Sequence, residues 1–173
     1  VPIYGNPCEM DDILSICKKH NLTLIEDCCE SMGAKYKDKY VGSFGRVASF
    51  SFYYSHHITT LEGGICVTDE HELSEMMRIV RSHGWVRQVE NKNKWIEMYK
   101  DFDPKFLFVN DGYNLRITEP QAAMGLLQID KIDNFIDNRR NNAKKYYNEL
   151  EFLGDFFSFQ TTTKNAENSH FGF

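Results

Sequence analysis

A short apolar run that ends in two acids constrains this chain more than any other feature. Residues 22–25 read Leu-Thr-Leu-Ile and lead straight into Glu26-Asp27, the pattern of a buried parallel strand with carboxylates at its carboxyl end. Ahead of it, residues 9–20 carry Met10, Ile13, Ile16 and Cys17 at helical spacing, with Asp11 and Asp12 early and Lys18 and Lys19 late. That charge order suits a helix dipole. Asn21 ends the helix. Residues 47–52 and 64–68 read as two further strands, the second leading into a helix over residues 70–81. Helix, strand, strand and helix in this order predict an α/β domain.

The rest of the chain is less periodic. Residues 84–116 are rich in Asn, Lys and aromatics and follow no repeat. An excursion of that length in a compact domain serves function or an interface. A helix is expected over 118–128, with Thr118 as cap and Pro120 in the first turn. Ile129, Ile132, Phe135 and Ile136 continue its stripe towards Leu150 as one long helix. Residues 161–168 are polar and turn-like, and Phe171-Gly172-Phe173 opens a new apolar stretch.

Composition excludes several classes. The 173 residues suffice for one domain with a sizeable core. Twenty basic against twenty-five acidic residues leave a net charge of −5 without a basic stripe, which argues against a nucleic-acid partner. No apolar run matches a bilayer and no signal-peptide pattern opens the chain, so a cytoplasmic protein is expected. Cys8, Cys17, Cys28, Cys29 and Cys66 are odd in number and form no C-x-x-C pair. Buried reduced thiols are therefore expected rather than a disulfide framework or a zinc site.

Three local groups carry candidate chemistry. In Glu26-Asp27-Cys28-Cys29-Glu30 a carboxylate at a strand end can face a ligand, or simply cap the next segment. Residues 50–64 pack aromatics, hydroxyls and the pair His56-His57 before Glu62-Gly63-Gly64. Adjacent histidines on an extended chain point apart, so this is a poor metal site. A structural role for either histidine stays open. In Gly112-Tyr113-Asn114-Leu115-Arg116, Asn and Arg precede a helix and can grip a phosphate or carboxylate, or lie on the surface of a capped helix.

Taken in order, these motifs resemble the DegT/StrS family of sugar-nucleotide aminotransferases. The matching residues are Val1-Pro2-Ile3-Tyr4-Gly5, Met10-Asp11, Ile25-Glu26-Asp27, Ser43-Phe44-Gly45, Ser51-Phe52 and Glu62-Gly63-Gly64. Arg81-Ser82-His83-Gly84 and Gly112-Tyr113-Asn114-Leu115-Arg116 complete the set. The resemblance implies the fold type I of pyridoxal-phosphate enzymes, an α/β fold like that of aspartate aminotransferase. Residues 1–128 would form part of the cofactor-binding large domain. Residues 129–173 would form a linking helix and the start of a small carboxyl-terminal domain. It also implies an upstream segment of the subunit beyond this chain.

By the same resemblance Asp27 would pair with the pyridine nitrogen of pyridoxal 5′-phosphate or pyridoxamine 5′-phosphate. Glu30 would lie beside the ring hydroxyl, and Ser51 would bind the phosphate. Asn114 would reach the phosphate of a neighbouring subunit's cofactor, implying a homodimer with shared sites. Arg116 would help there or bind substrate. The departure is His56, which stands where the family carries its Schiff-base lysine. No lysine occurs between Lys39 and Lys92. An imidazole is no primary amine, but it moves protons near neutral pH.

Histidine there, with Glu30 after Asp27, is similar to the sugar 3-dehydratase branch of the family. The implied activity is removal of the C3 hydroxyl from a 4-keto nucleotide sugar, with ammonia released and an amino donor such as glutamate recharging the cofactor. Iron–sulfur relatives of that branch need clustered cysteines after the histidine, whereas only Cys66 follows here. The alternatives are an aminotransferase that works without the lysine, a non-catalytic relative, or the structural remnant of a split gene.

Overall fold

The computed structural model describes residues 1–173. The chain divides into two compact units, one of residues 1–67 with 119–173 and the other of residues 68–118. In the first unit, helix α1 (Met10–His20) carries Asp11 and Asp12 in its first turn and Lys18, Lys19 and His20 in its last. Asn21 ends it in the left-handed conformation at φ 51°, which Asn tolerates better than most residues.

Strand β1 (Ile25–Asp27) follows, and its parallel partner is β4 (Val47–Ser51), with Asp27 opposite Ser49. Strand β5 (Gly64–Val67) returns antiparallel to β4, with Gly64 opposite Ser51. Within these 173 residues the sheet order is β1-β4-β5, so β1 pairs on one side with β4, parallel as expected. Ile25 is 68% exposed and Glu26 is buried. The carboxylate of Glu26 accepts the backbone N–H groups of Gly42, Phe44 and Gly45 at 2.6–2.8 Å. Three charge-assisted bonds satisfy the buried acid and fasten the 42–45 turn to the sheet. Cys28, Ala34, Val41 and Ala48 form the core beside it, with Phe50 and Val67 packed on.

A second small sheet joins distant parts of the chain. Strands β2 (Lys35–Tyr36) and β3 (Lys39–Tyr40) form a hairpin, and β6 (Ala166–Glu167) pairs antiparallel with β2. The polar tail thus contributes a strand that its composition concealed. Helix α4 (Glu119–Ile129) and helix α5 (Ile132–Leu150) are separate, where the apolar stripe predicts one long helix. Hydrophobic spacing survives the break; charge does not favour continuity. Asp130 faces a helix carboxyl end, whereas Asp133 suits the start of a new one.

The second unit holds α2 (His71–Arg81) and the excursion, which is more ordered than its sequence suggests. It contains α3 (Lys92–Met98) and short 3-10 turns at Val86–Gln88 and Pro104–Phe106. Ile79, Val86, Val89 and Leu107 form its own core. Gly84 sits at φ +84°, and a Cβ there would come within 1.7 Å of the Asn110 carbonyl oxygen. Only glycine allows this crossing of backbones.

All five cysteines are free, but only Cys28 is buried and Cys66 is exposed, which corrects the expectation of buried thiols. No helix is long and apolar enough to cross a membrane.

Candidate active site

The parallel register of β1 and β4 sets Asp27, Ser49 and Ser51 on one face at the carboxyl edge of the first sheet. Asp27 Oδ1 accepts the backbone N–H of Cys29 at 3.2 Å. Hydrogen bonds from the Cys29 thiol and backbone, with a smaller one from Ser49, hold its carboxyl below the usual carboxylate range against the cost of partial burial. Burial and the neighbouring Asp27 push the Cys29 thiol up to about 11, and burial with Glu26 pushes Cys28 to about 12. Both thiols therefore stay protonated near neutrality. The contact to Cys29 fits the capping role open to Asp27. A charged, outward-facing carboxylate at a strand end also leaves it available to a ligand.

Ser51 ends β4. Its Oγ accepts the Tyr53 N–H at 3.1 Å, which leaves the hydroxyl proton to donate outward. Residues 52–63 then loop out before β5. Phe52 N donates to Gly63 O and Thr60 N donates to Phe52 O, both at 2.9 Å, so the loop base is closed. Gly64 must be glycine at the first pairing position, because a Cβ would meet the Phe50 carbonyl oxygen at 2.7 Å.

His56 stands on this loop, its backbone N–H donating to Tyr53 O at 3.0 Å across a tight turn. Its Nδ1 is buried and has no hydrogen-bond partner. Two rings flank the imidazole edge-on: Tyr53 at 5.8 Å and Phe171 at 5.0 Å between centroids. His57 also packs against the Phe171 ring, at 5.8 Å between centroids, because the chain turns here rather than running extended. It is buried, with Nε2 at 3.4 Å from Ser169 O. Desolvation first, then the positive charge of Arg139, lower its pKa to about 4, so it is neutral at physiological pH. Of the two histidines, His57 takes the structural role.

Glu30 meets the amino-terminal segment. Its Oε2 accepts the backbone N–H of Tyr4 at 2.8 Å, and no partner engages its Oε1. Tyr4 O in turn accepts the Phe171 N–H at 3.0 Å. Glu30 and His56 are thereby joined through Tyr4 and Phe171, residues distant in sequence. Sequence reasoning missed this scaffold, since Tyr4 and Phe171 carry no local pattern linking them.

Asn114 and Arg116 belong to the second unit. Asn114 bridges Ser82 in an isolated antiparallel pair. Its Oδ1 accepts Nε and Nη2 of Arg116 at 3.4 Å each, and Arg116 Nη2 lies 3.5 Å from His83 Nε2. The Arg81–Gly84 and Gly112–Arg116 motifs are thus in contact, and the two amide N–H donors of Asn114 point to no partner.

The whole chain, residues 1–173, matches the model of the DegT/DnrJ/EryC1/StrS aminotransferase family. It is 40% identical to the GDP-4-keto-6-deoxy-D-mannose 3-dehydratase of Escherichia coli O55:H7, over all of this chain and 44% of that protein. It is 37% identical to the UDP-4-amino-4,6-dideoxy-N-acetyl-beta-L-altrosamine transaminase of Campylobacter jejuni, over 87% of this chain and 37% of that protein. The solved E. coli GDP-4-keto-6-deoxy-D-mannose-3-dehydratase with bound hydrated PLP superposes with a TM-score of 0.84. Identity there is 38%, covering 98% of this chain and 43% of the other. The chain thus spans less than half the length of the relatives it matches.

Proposed function

The chain belongs to the DegT/DnrJ/EryC1/StrS aminotransferase family, and on that premise we propose that its protein removes the C3 hydroxyl of a 4-keto nucleotide sugar with pyridoxamine 5′-phosphate. His56 carries this reading: a half-buried imidazole without a hydrogen bond stands on the loop beyond β4, in a stretch that offers no lysine between Lys39 and Lys92. Relatives named as 3-dehydratases support it.

The donor set fits the cofactor. A carboxylate kept anionic, Asp27, would hold a proton on the pyridine nitrogen. The Ser51 hydroxyl would donate to the phosphate, and Glu30 would present its unengaged Oε1 to the ring hydroxyl. When bound, the cofactor supplies an amine for the 4-keto group and a ring that accepts electrons. His56 would serve as the base that moves a proton at the cofactor's 4′ carbon, the proton transfer that loss of the C3 hydroxyl needs. Asn114 would donate to the phosphate of a second subunit's cofactor, so the working unit is a homodimer, and Arg116 would orient Asn114 or meet substrate. Glutamate is the proposed amino donor. Residues 1–128 act as part of the large domain and 129–173 as the entry to the small one. The substrate and amino donor are metabolites of the cytoplasm, where the protein is proposed to work.

Mass spectrometry of the product tests this. Full-length protein given pyridoxamine 5′-phosphate and GDP-4-keto-6-deoxymannose should yield a deoxy sugar. A stable amino sugar as the product would place the protein with the transaminases instead.

A further inference from the structure

A proton-carrying histidine is ordinarily oriented by a hydrogen bond to its second ring nitrogen. His56 has none: Nδ1 is buried and unpartnered, and the aromatic rings packed on it are Tyr53 and Phe171. Ring packing, rather than a hydrogen bond, is then what can orient it. Tyr53 is a near neighbour on the same loop. Phe171 comes from the far end of the chain and is held by several independent contacts.

The segment 168–171 lies against residues 4–5, with Ser169 N donating to Gly5 O at 3.1 Å and Phe171 N to Tyr4 O at 3.0 Å. From α5, Arg139 Nη1 donates to Phe171 O at 3.0 Å and His170 O at 3.4 Å, while its guanidinium sits 5.9 Å from the Phe171 ring centre. Arg140 fixes the same segment through Asn168 O at 3.0 Å and reaches Gly33 O at 3.1 Å. Asn168 Oδ1 accepts the His170 N–H at 2.7 Å, which supports the left-handed turn of His170 at φ 49°. The guanidinium thus holds Phe171 by both its carbonyl and its ring face.

We infer that Arg139 and Phe171 are positioning residues for His56: Arg139 fixes Phe171, and the edge of that ring fixes the imidazole. The geometry explains why a charged side chain is drawn into a half-buried place on α5 rather than left in solvent. It also couples the two candidate groups, since Tyr4 receives Phe171 on its carbonyl and gives its N–H to Glu30. The catalytic consequence rests on the proposed dehydration, whereas the packing claim does not.

The test uses full-length holoprotein carrying ring-labelled histidine. The His56 ring in the wild type should give a nuclear Overhauser contact to the Phe171 ring and a ring-current-shifted signal. Phe171→Leu and Arg139→Met should each abolish the shift, and should lower kcat roughly 10- to 100-fold with KM little changed. Phe171→Tyr, which keeps the ring, should retain both. Phe171→Leu leaves Arg139 and every backbone bond in place, so it serves even where Arg139→Met loosens α5. Unchanged His56 signals in Phe171→Leu would overturn the inference, as would equal losses of kcat in Phe171→Tyr and Phe171→Leu. If the wild type fails to dehydrate, the proposed function falls, while the ring signals still decide the positioning claim.

Discussion

His56 and His57 are neighbours with opposite fates, and the difference comes from what each ring meets. His57 enters the core and loses its proton; His56 stays half-buried, without a hydrogen bond. Replacing His56 with Asn removes the proton carrier and should lower turnover roughly 10²- to 10⁴-fold, read in steady-state kinetics. His56→Lys supplies a primary amine, so borohydride should trap a protein–pyridoxal phosphate adduct that mass spectrometry detects only in the variant. His57 makes a separate prediction about stability. Its folded pKa of about 4 lies below the ordinary 6.5, so the unfolded chain binds the proton more readily. The stability it holds is full above about pH 6.5 and falls as pH drops towards 4, by up to roughly 3 kcal/mol. Burial also depresses His170, with the same sign. Urea unfolding at pH 7.5 and pH 5 should show this loss, and His57→Asn should flatten it. The sequence marked both histidines, but adjacency alone could not tell that the 168–171 segment packs on both rings and that His57 is the one it buries.

At the scale of elements, local pattern predicted what local forces decide. Both α1 and α2 lie within a residue or so of their expected bounds, because apolar spacing and end charges agree there. Strand β1 was legible by position and direction, but the inward turn of Glu26 was not, since its three backbone partners lie in the 42–45 turn. Glu26→Ala would leave three backbone N–H groups without their acceptor and should cost roughly 2–3 kcal/mol in urea unfolding. Glu26→Gln keeps one acceptor oxygen and should lose less. The strand β6 and the break between α4 and α5 were not legible. The first depends on a partner, β2, far back in the chain, and the second interrupts a stripe that hydrophobic spacing alone continues.

For the whole molecule, the ordered motifs specified the family, while the contacts from Tyr4 to Phe171 could only be found in three dimensions. Large apolar side chains stand in the open, among them Ile25 at 68%, Leu126 at 71% and Phe156 at 81% exposure. Such surface drives association, so the 173-residue chain produced alone should self-associate in sedimentation velocity rather than run as a monomer. The account as a whole rests on deoxygenation at a site built around His56. Full-length protein loaded with pyridoxamine 5′-phosphate, mixed with a 4-keto nucleotide sugar and no amino donor, tests it by the ammonia released. The account predicts one ammonia for each sugar converted; conversion of the sugar with no ammonia released would contradict it.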